Sequence, residues 1–294
     1  MPMCDDLTLE DNERYVKHPG QFSRRQFVTG VVGAGLALYL PVTANAFSVT
    51  ETRVSVPTPD GNADGYFVYP SSGKYPAVVL WPDILGLRPA FELMGKRLAQ
   101  SGYAVLVVNP FYRSQKAPVV AEGASFDDEA TRNIVIPLAK SLSPATHRLD
   151  AKAFIQFLDK QAAVDTRKKV GTMGYCMSGA IAFRAAATVP ERVGAVASFH
   201  GGGLVNDTAD SPHLLIPNTS AQFLVAIAEN DDQRDPDAKT VLRKSFAEAH
   251  INAEVDVYEG ALHGWCPPDS RVYNQEQAER AWSRLLALLG EALV

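Results

Sequence analysis

The stretches YPAVVLWPD and YAVLVVNP are apolar at nearly every position, with none of the polar alternation of a strand that keeps one face in water. Such runs are strands covered on both sides, and sheets covered on both sides are mostly parallel. KKVGTMGY, VGAVASFHG, AQFLVAIAEND and AEVDVYEG read as further strands. Interleaved with them are helical stretches: PAFELMGKRLAQSG, stopping at Gly102; THRLDAKAFIQFLDKQ; MSGAIAFRAAATVP, ended by Pro190; and NQEQAERAWSRLLALLGEAL. This alternation predicts an α/β fold, a mostly parallel central sheet with helices on both faces. ETRVSVPT and GYFVYP, separated by the turn residues Pro59, Asp60 and Gly61, predict an antiparallel start. The less periodic stretch 113–145 reads as a partly helical excursion able to cover the carboxyl ends of the strands, the edge at which open α/β sheets bind ligands.

The amino-terminal stretch follows another logic. After a polar lead, SRRQFVTGVVGAGLALYLPVTANAF places Arg24 and Arg25 before an apolar run from about Phe27 to Leu40, and then Ala44-Asn45-Ala46. A charged start, a short apolar core and an A-x-A site read as a cleavable export signal. The core is too short and too glycine-rich for a comfortable span, which needs roughly 20 apolar residues; an uncleaved anchor is the other reading. The stretch S-R-R-Q-F-V resembles a twin-arginine signal. The expectation is therefore a signal over 1–46, the twin-arginine translocase as export partner, and a mature domain of 47–294 in the periplasm or secreted, with no stable membrane association after cleavage. A net charge of −5 gives no electrostatic footprint for nucleic acid. Of three cysteines, Cys4 lies in the export segment, and Cys176 and Cys266 do not make a disulfide scaffold.

Cys176 stands where strand turns to helix, in Gly174-Tyr175-Cys176-Met177-Ser178-Gly179. Small neighbours at such a corner let backbone segments approach closely while the middle side chain is held out, the pattern of a nucleophile elbow. The helix amino terminus favours a thiolate there. The bland alternative is a cysteine filling the core. A nucleophile needs a base, and the base an orienting acid. FLVAIAENDD ends a strand in two aspartates, and VDVYEGALHGW ends one in His263. The chain order Cys176, Asp231, His263 is that of an α/β-hydrolase. Asp232 competes with Asp231: the A-x-N-D register favours Asp231, and counting back from Pro236 favours Asp232. His200 in SFHGGG is a rival base without an obvious acid, and reads as pocket-lining. Cys266 reads as a bystander.

At these residues the sequence resembles the dienelactone hydrolase (carboxymethylenebutenolidase) family of α/β-hydrolases, over nearly the whole of 47–294. G-Y-C-M-S-G, A-E-N-D, Y-E-G-A-L-H-G-W, V-V-L-W-P-D-I-L-G-L and N-P-F-Y-R carry the resemblance. It implies hydrolysis of small esters or lactones with no metal or cofactor. Cys176 would attack the carbonyl, His263 move the proton and Asp231 hold the imidazole. The backbone N–H groups of Ile84 and Met177 would bind the oxyanion, and Arg113 would meet a substrate carboxylate. Asp83 stands where the family often has a glutamate that touches the resting thiol. Pro267 replaces a second arginine four residues beyond the histidine, and Ser178 replaces a glycine, which puts the dienelactone substrate itself in doubt.

Three other functions compete with hydrolysis. A thioesterase or acyl-transfer enzyme would use the same three residues, and a retired hydrolase pocket would make an exported binding protein. A glutamine amidotransferase would carry glutamate two residues after the histidine, where this chain has Trp265.

Overall fold

The computed structural model describes residues 47–294. The expected export segment, with Arg24 and Arg25, lies outside the described residues. The chain opens with the hairpin β1 (Val49–Thr58) and β2 (Gly61–Pro70), in antiparallel register from Val49 opposite Pro70 to Thr58 opposite Gly61. Six strands follow: β3 (Ala77–Trp81), β4 (Ala104–Val108), β5 (Val170–Tyr175), β6 (Val193–Phe199), β7 (Gln222–Ala228) and β8 (Ala253–Tyr258). They form one sheet in the order β1-β2-β4-β3-β5-β6-β7-β8, parallel from β4 to β8. Every residue of β3, β4, β5 and β6 is buried, which is why their sequences lack alternation.

Alternate residues of these strands still separate by face. Val79 and Trp81 join Phe154, Phe183 and Phe223 on one side, while Val78 and Leu80 join Phe91, Phe199 and Trp282 on the other. The first side is covered by α3 (Pro144–Leu158), α4 (Ser178–Thr188) and α6 (Ala238–Glu248). The second is covered by α1 (Pro89–Gln100) and α7 (Gln275–Ala292). Start signals act as the sequence suggests. Pro89 sits in the first turn of α1, Ser143 and Thr146 form a reciprocal capping box on α3, and the Asn274 side chain caps α7. Among the described residues no helix is long and apolar enough to cross a membrane.

Two helices depart from the expectation. The two aspartates beyond β7 lie on a short helix, α5 (Glu229–Arg234), and α6 had no clear sequence signal because it buries only Leu242 and Phe246. The excursion contains α2 (Glu129–Lys140). From β3 the chain crosses to β4 on one side, then returns to β5 on the other. This reversal puts a crevice at the carboxyl ends of β3 and β5, where such sheets bind ligands. Asp83-Ile84 follow β3 there, and Cys176 follows β5.

Candidate active site

Cys176 is the hinge of the crevice. Its φ is +55°, a left-handed backbone that a non-glycine residue adopts at a cost of about 1–3 kcal/mol. Neighbouring bonds fix it there: its N–H donates to Phe199 at 3.1 Å, and its carbonyl accepts from Gly179 at 3.1 Å and Gly202 at 3.3 Å. The small residues beside it are required by contact. A Cβ on Gly174 would stand 2.0 Å from the Ser178 carbonyl oxygen, and one on Gly179 would stand 2.3 Å from Ser198 Oγ. Ser178 Oγ donates to the Pro82 carbonyl at 2.5 Å, tying the elbow to the loop after β3.

His263 lies in the loop after β8, its main-chain N–H held by Asn230 Oδ1 at 2.9 Å. Its Nδ1 is 2.8 Å from Asp231 Oδ2, and its ring is hydrogen-bonded to the Cys176 side chain. Burial alone pushes this imidazole down. Asp231 and Cys176, through charge and hydrogen bonds, outweigh that and carry it well above the ordinary histidine value. Asp232 is turned away, with both carboxylate oxygens 2.7 Å from Lys239 Nζ. Of the two adjacent aspartates, only Asp231 meets the histidine.

His200, at φ +41°, closes the inner wall. Its ring stands edge-to-face against His263 and Trp265, with centroids 4.9 and 5.1 Å away. Burial, then the neighbouring His263, hold it well below the usual histidine range, so it is a neutral ring against which His263 packs. Cys266 is buried in the face covered by α7, and burial pushes its thiol well up.

A cleft of about 100 Å³ opens over these groups. Cys176, His200 and His263 line it together with the apolar Ile84, Leu85, Ala124 and Phe126 and the charged Asp83, Arg88, Asp269 and Arg271. The excursion thus supplies one wall, through Gly123 to Phe126. Among the described residues, neither the Ile84 nor the Met177 N–H donates to a backbone carbonyl.

One expectation needs correction. Arg113 does not line the cleft. Asp150 and Asp60 grip its guanidinium, with N–O distances of 2.7 to 2.9 Å, and it stacks over Tyr112 at 4.5 Å. Asp60 in the β1–β2 turn and Asp150 on α3 hold the guanidinium instead. Asp83 does line the cleft, but its carboxylate is bound by Arg88 at 2.7 and 3.0 Å.

Arg88, Asp269 and Arg271 were not anticipated. Arg88 offered a signal: a cation at the amino end of a helix opposes the macrodipole, so its charge must be used elsewhere. It bridges Asp83 and Asp269, joining the loop after β3 to the loop after β8. Arg271 reaches Asp127 and Asp128 of the excursion at 3.3 Å each. Nothing local in the sequence marks that pairing, because its partners lie more than a hundred residues away. Among the described residues no cluster of three or more His, Cys, Asp or Glu side chains could hold a metal ion.

The β5–α4 corner holds a cysteine against a histidine that an aspartate holds. Together with the strand order, it defines the class: an α/β-hydrolase fold. Within that class the chain belongs to the dienelactone hydrolase family, whose profile matches residues 63–293. A Synechocystis sp. protein with a provisional carboxymethylenebutenolidase name is 28% identical over 246 residues, covering 82% of this chain and 96% of that protein. A Bradyrhizobium sp. protein with a provisional 2-oxo-3-(5-oxofuran-2-ylidene)propanoate lactonase name is 24% identical over 222 residues, covering 74% and 84%. Among crystal structures, a provisionally named dienelactone hydrolase from Klebsiella pneumoniae superposes with a TM-score of 0.71 at 20% identity, over 83% of this chain and 99% of that one. The dienelactone hydrolase-like promiscuous phosphotriesterase P91, from metagenomic libraries, gives 0.69 at 23% identity, over 84% and 99%.

Proposed function

We propose that the protein hydrolyses small esters or lactones through an acyl-thioenzyme formed on Cys176, with His263 as the proton carrier and Asp231 as its orienting acid. One observation carries the reading: His263 is hydrogen-bonded to Cys176 on one side and, through Nδ1 at 2.8 Å, to Asp231 on the other. The raised imidazole matches a thiolate–imidazolium resting pair, in which the nucleophile is already charged. The thiolate attacks the carbonyl carbon, and the Ile84 and Met177 amides stabilise the oxyanion, each donor contributing about 2.7–4 kcal/mol. Collapse expels the alkoxide, which takes the His263 proton and leaves as the alcohol. His263, now neutral, accepts a proton from water as the hydroxide oxygen bonds to the thioester carbon. The second collapse releases the acid and returns the pair to its starting state. A lactone follows the same steps, its alcohol remaining attached to the acyl chain until the acid leaves.

The relatives with carboxymethylenebutenolidase and lactonase names support an ester or lactone substrate. The test is hydrolysis of p-nitrophenyl acetate and of an unsaturated lactone by residues 47–294, before and after iodoacetamide. Alkylation of Cys176, or Cys176→Ala, is expected to abolish both activities, and full activity in either case would overturn the reading. We also propose export by the twin-arginine route, supported by Arg24-Arg25 and the Ala44-Asn45-Ala46 site. Exported protein whose amino-terminal sequence starts at Met1 would refute cleavage.

A further inference from the structure

Resting on the hydrolase reading above, we infer that Arg88 is a positioning residue for the reaction. It fixes the peptide that carries the Ile84 amide and ties that oxyanion donor to the loop of His263. The main-chain carbonyl of Asp83 accepts from the Gly86 N–H at 2.9 Å, and Asp83 Oδ1 accepts from the Leu85 N–H at 2.9 Å, which closes a turn over residues 83–86. The Asp83 carbonyl and the Ile84 N–H belong to one planar trans peptide and point in opposite directions. Whatever holds Asp83 and Gly86 in place therefore aims the Ile84 amide.

Arg88 holds both. Its guanidinium has five N–H groups, and each has an acceptor. Nη1 donates to Asp83 Oδ1 at 2.7 Å and to the Gly86 carbonyl at 3.3 Å. Nη2 donates to Asp83 Oδ2 and to Asp269 Oδ1 at 3.0 Å each, and Nε to Asp269 Oδ2 at 2.7 Å. One side chain thus grips both ends of the turn and, through Asp269, the loop after β8. On its other side the turn is tied to the elbow, where Ser178 Oγ donates to the Pro82 carbonyl. The Ile84 peptide lies between these two ties. Arg88 is buried and its donors are all in use, so it acts through the loop rather than on the substrate. A lysine keeps the charge but loses the planar fork that spans two carboxylates.

Arg88→Lys tests this with two reagents for the same sulfur. Acylation by uncharged p-nitrophenyl acetate puts negative charge on the carbonyl oxygen. Iodoacetamide loses iodide to the thiolate at a saturated carbon and develops no oxyanion. In the variant, kcat and kcat/KM are both expected to fall by about tenfold or more, with KM within about twofold, since a misplaced donor forfeits part of its roughly hundredfold contribution. The rate of Cys176 alkylation is expected to stay within about twofold of wild type. Butyraldehyde takes up the Cys176 S–H across its carbonyl to give a hemithioacetal, with nothing lost, and should protect Cys176 from iodoacetamide about tenfold less well in the variant. Unchanged kcat would overturn the inference. So would a parallel loss of turnover and alkylation, which would place the damage in the thiol–imidazole pair. If Arg88→Lys does not fold, Asp269→Asn is read against the same outcomes, because it leaves Arg88 on Asp83 and loosens the tie to the loop of His263. Failure of the hydrolase reading has a different signature, no turnover by the wild type. The butyraldehyde comparison then decides: weaker protection in the variant upholds the inference, and equal protection refutes it.

Discussion

Asp231 Oδ2 and His263 Nδ1 stand 2.8 Å apart although 32 positions separate them in the chain, and the adjacent Asp232 pairs with Lys239 instead. The short helix α5 causes the difference, since successive residues on a helix point about 100° apart. Only one of two neighbouring carboxylates can then meet the ring. Asp231→Ala is expected to lower kcat on an activated ester by about a hundredfold or more, because the imidazole loses both its orientation and the charge that favours its protonated form. Asp232→Ala removes a partly exposed ion pair and is expected to change kcat by less than about threefold. Steady-state kinetics on the two variants checks this, and equal losses would break the assignment.

Backbone crowding at the elbow gives a stability prediction. An alanine methyl at position 174 meets main-chain atoms, the Ser178 oxygen at 2.0 Å and the Gly179 nitrogen at 2.9 Å, neither of which can move without shifting the start of α4. A methyl at Gly171, on the same strand, meets Leu289 Cδ2 at 2.9 Å and Val78 Cγ2 at 3.2 Å, side-chain tips that can turn aside. Urea unfolding is expected to show a loss of about 3 kcal/mol for Gly174→Ala and about 1 kcal/mol for Gly171→Ala. A reversed order would show that the elbow relaxes more readily than its contacts imply.

What was legible in the sequence follows from range. The buried strands, the initial hairpin and the elbow announce themselves through local pattern, because strand burial and tight turns are local demands. Cys176, Asp231 and His263 could be singled out in the sequence because each follows a strand within a few residues, and the carboxyl ends of parallel strands lie on one edge of the sheet. Arg113 was misread for the opposite reason. Its partners Asp60 and Asp150 lie 53 and 37 positions away, and no local pattern reveals which of several carboxylates captures a guanidinium. Arg271 and Asp269 were hidden in the same way, on a loop without periodicity whose contacts run back to residues 88, 127 and 128.

Arg88 also carries a structural load. Its guanidinium is buried between Asp83 and Asp269, so Arg88→Met strands one largely buried carboxylate and weakens the link between two loops that wall the cleft. Breaking one partner of such a buried arrangement typically costs about 3–5 kcal/mol. The double variant Asp83→Asn, Arg88→Met is expected to recover part of that loss, since the stranded charge is gone. Urea midpoints of the wild type, the single and the double variant close the cycle. A double variant less stable than the single one would mean that Asp83 does not owe its position to Arg88.

His147 on α3 is expected to lower folding stability in acid. Neither ring nitrogen has a hydrogen-bond partner among the described residues, and burial, then the nearby Arg184, Arg113 and Arg148, push its pKa from 6.5 down to about 3. The unfolded chain therefore takes up a proton here below about pH 6.5, which the folded chain refuses until about pH 3. The unfolded state binds more protons across that window, so folding stability falls as pH is lowered through it. His200, also held neutral, adds a decline of the same sign, so removing His147 should flatten the slope without abolishing it. His147→Gln is expected to lose less stability than the wild type between pH 6.5 and 4.5, read as the shift of the urea midpoint. Parallel pH profiles for the two proteins would mean that His147 takes up its proton in the folded state as readily as in the unfolded chain, and that the three arginines do not act on it.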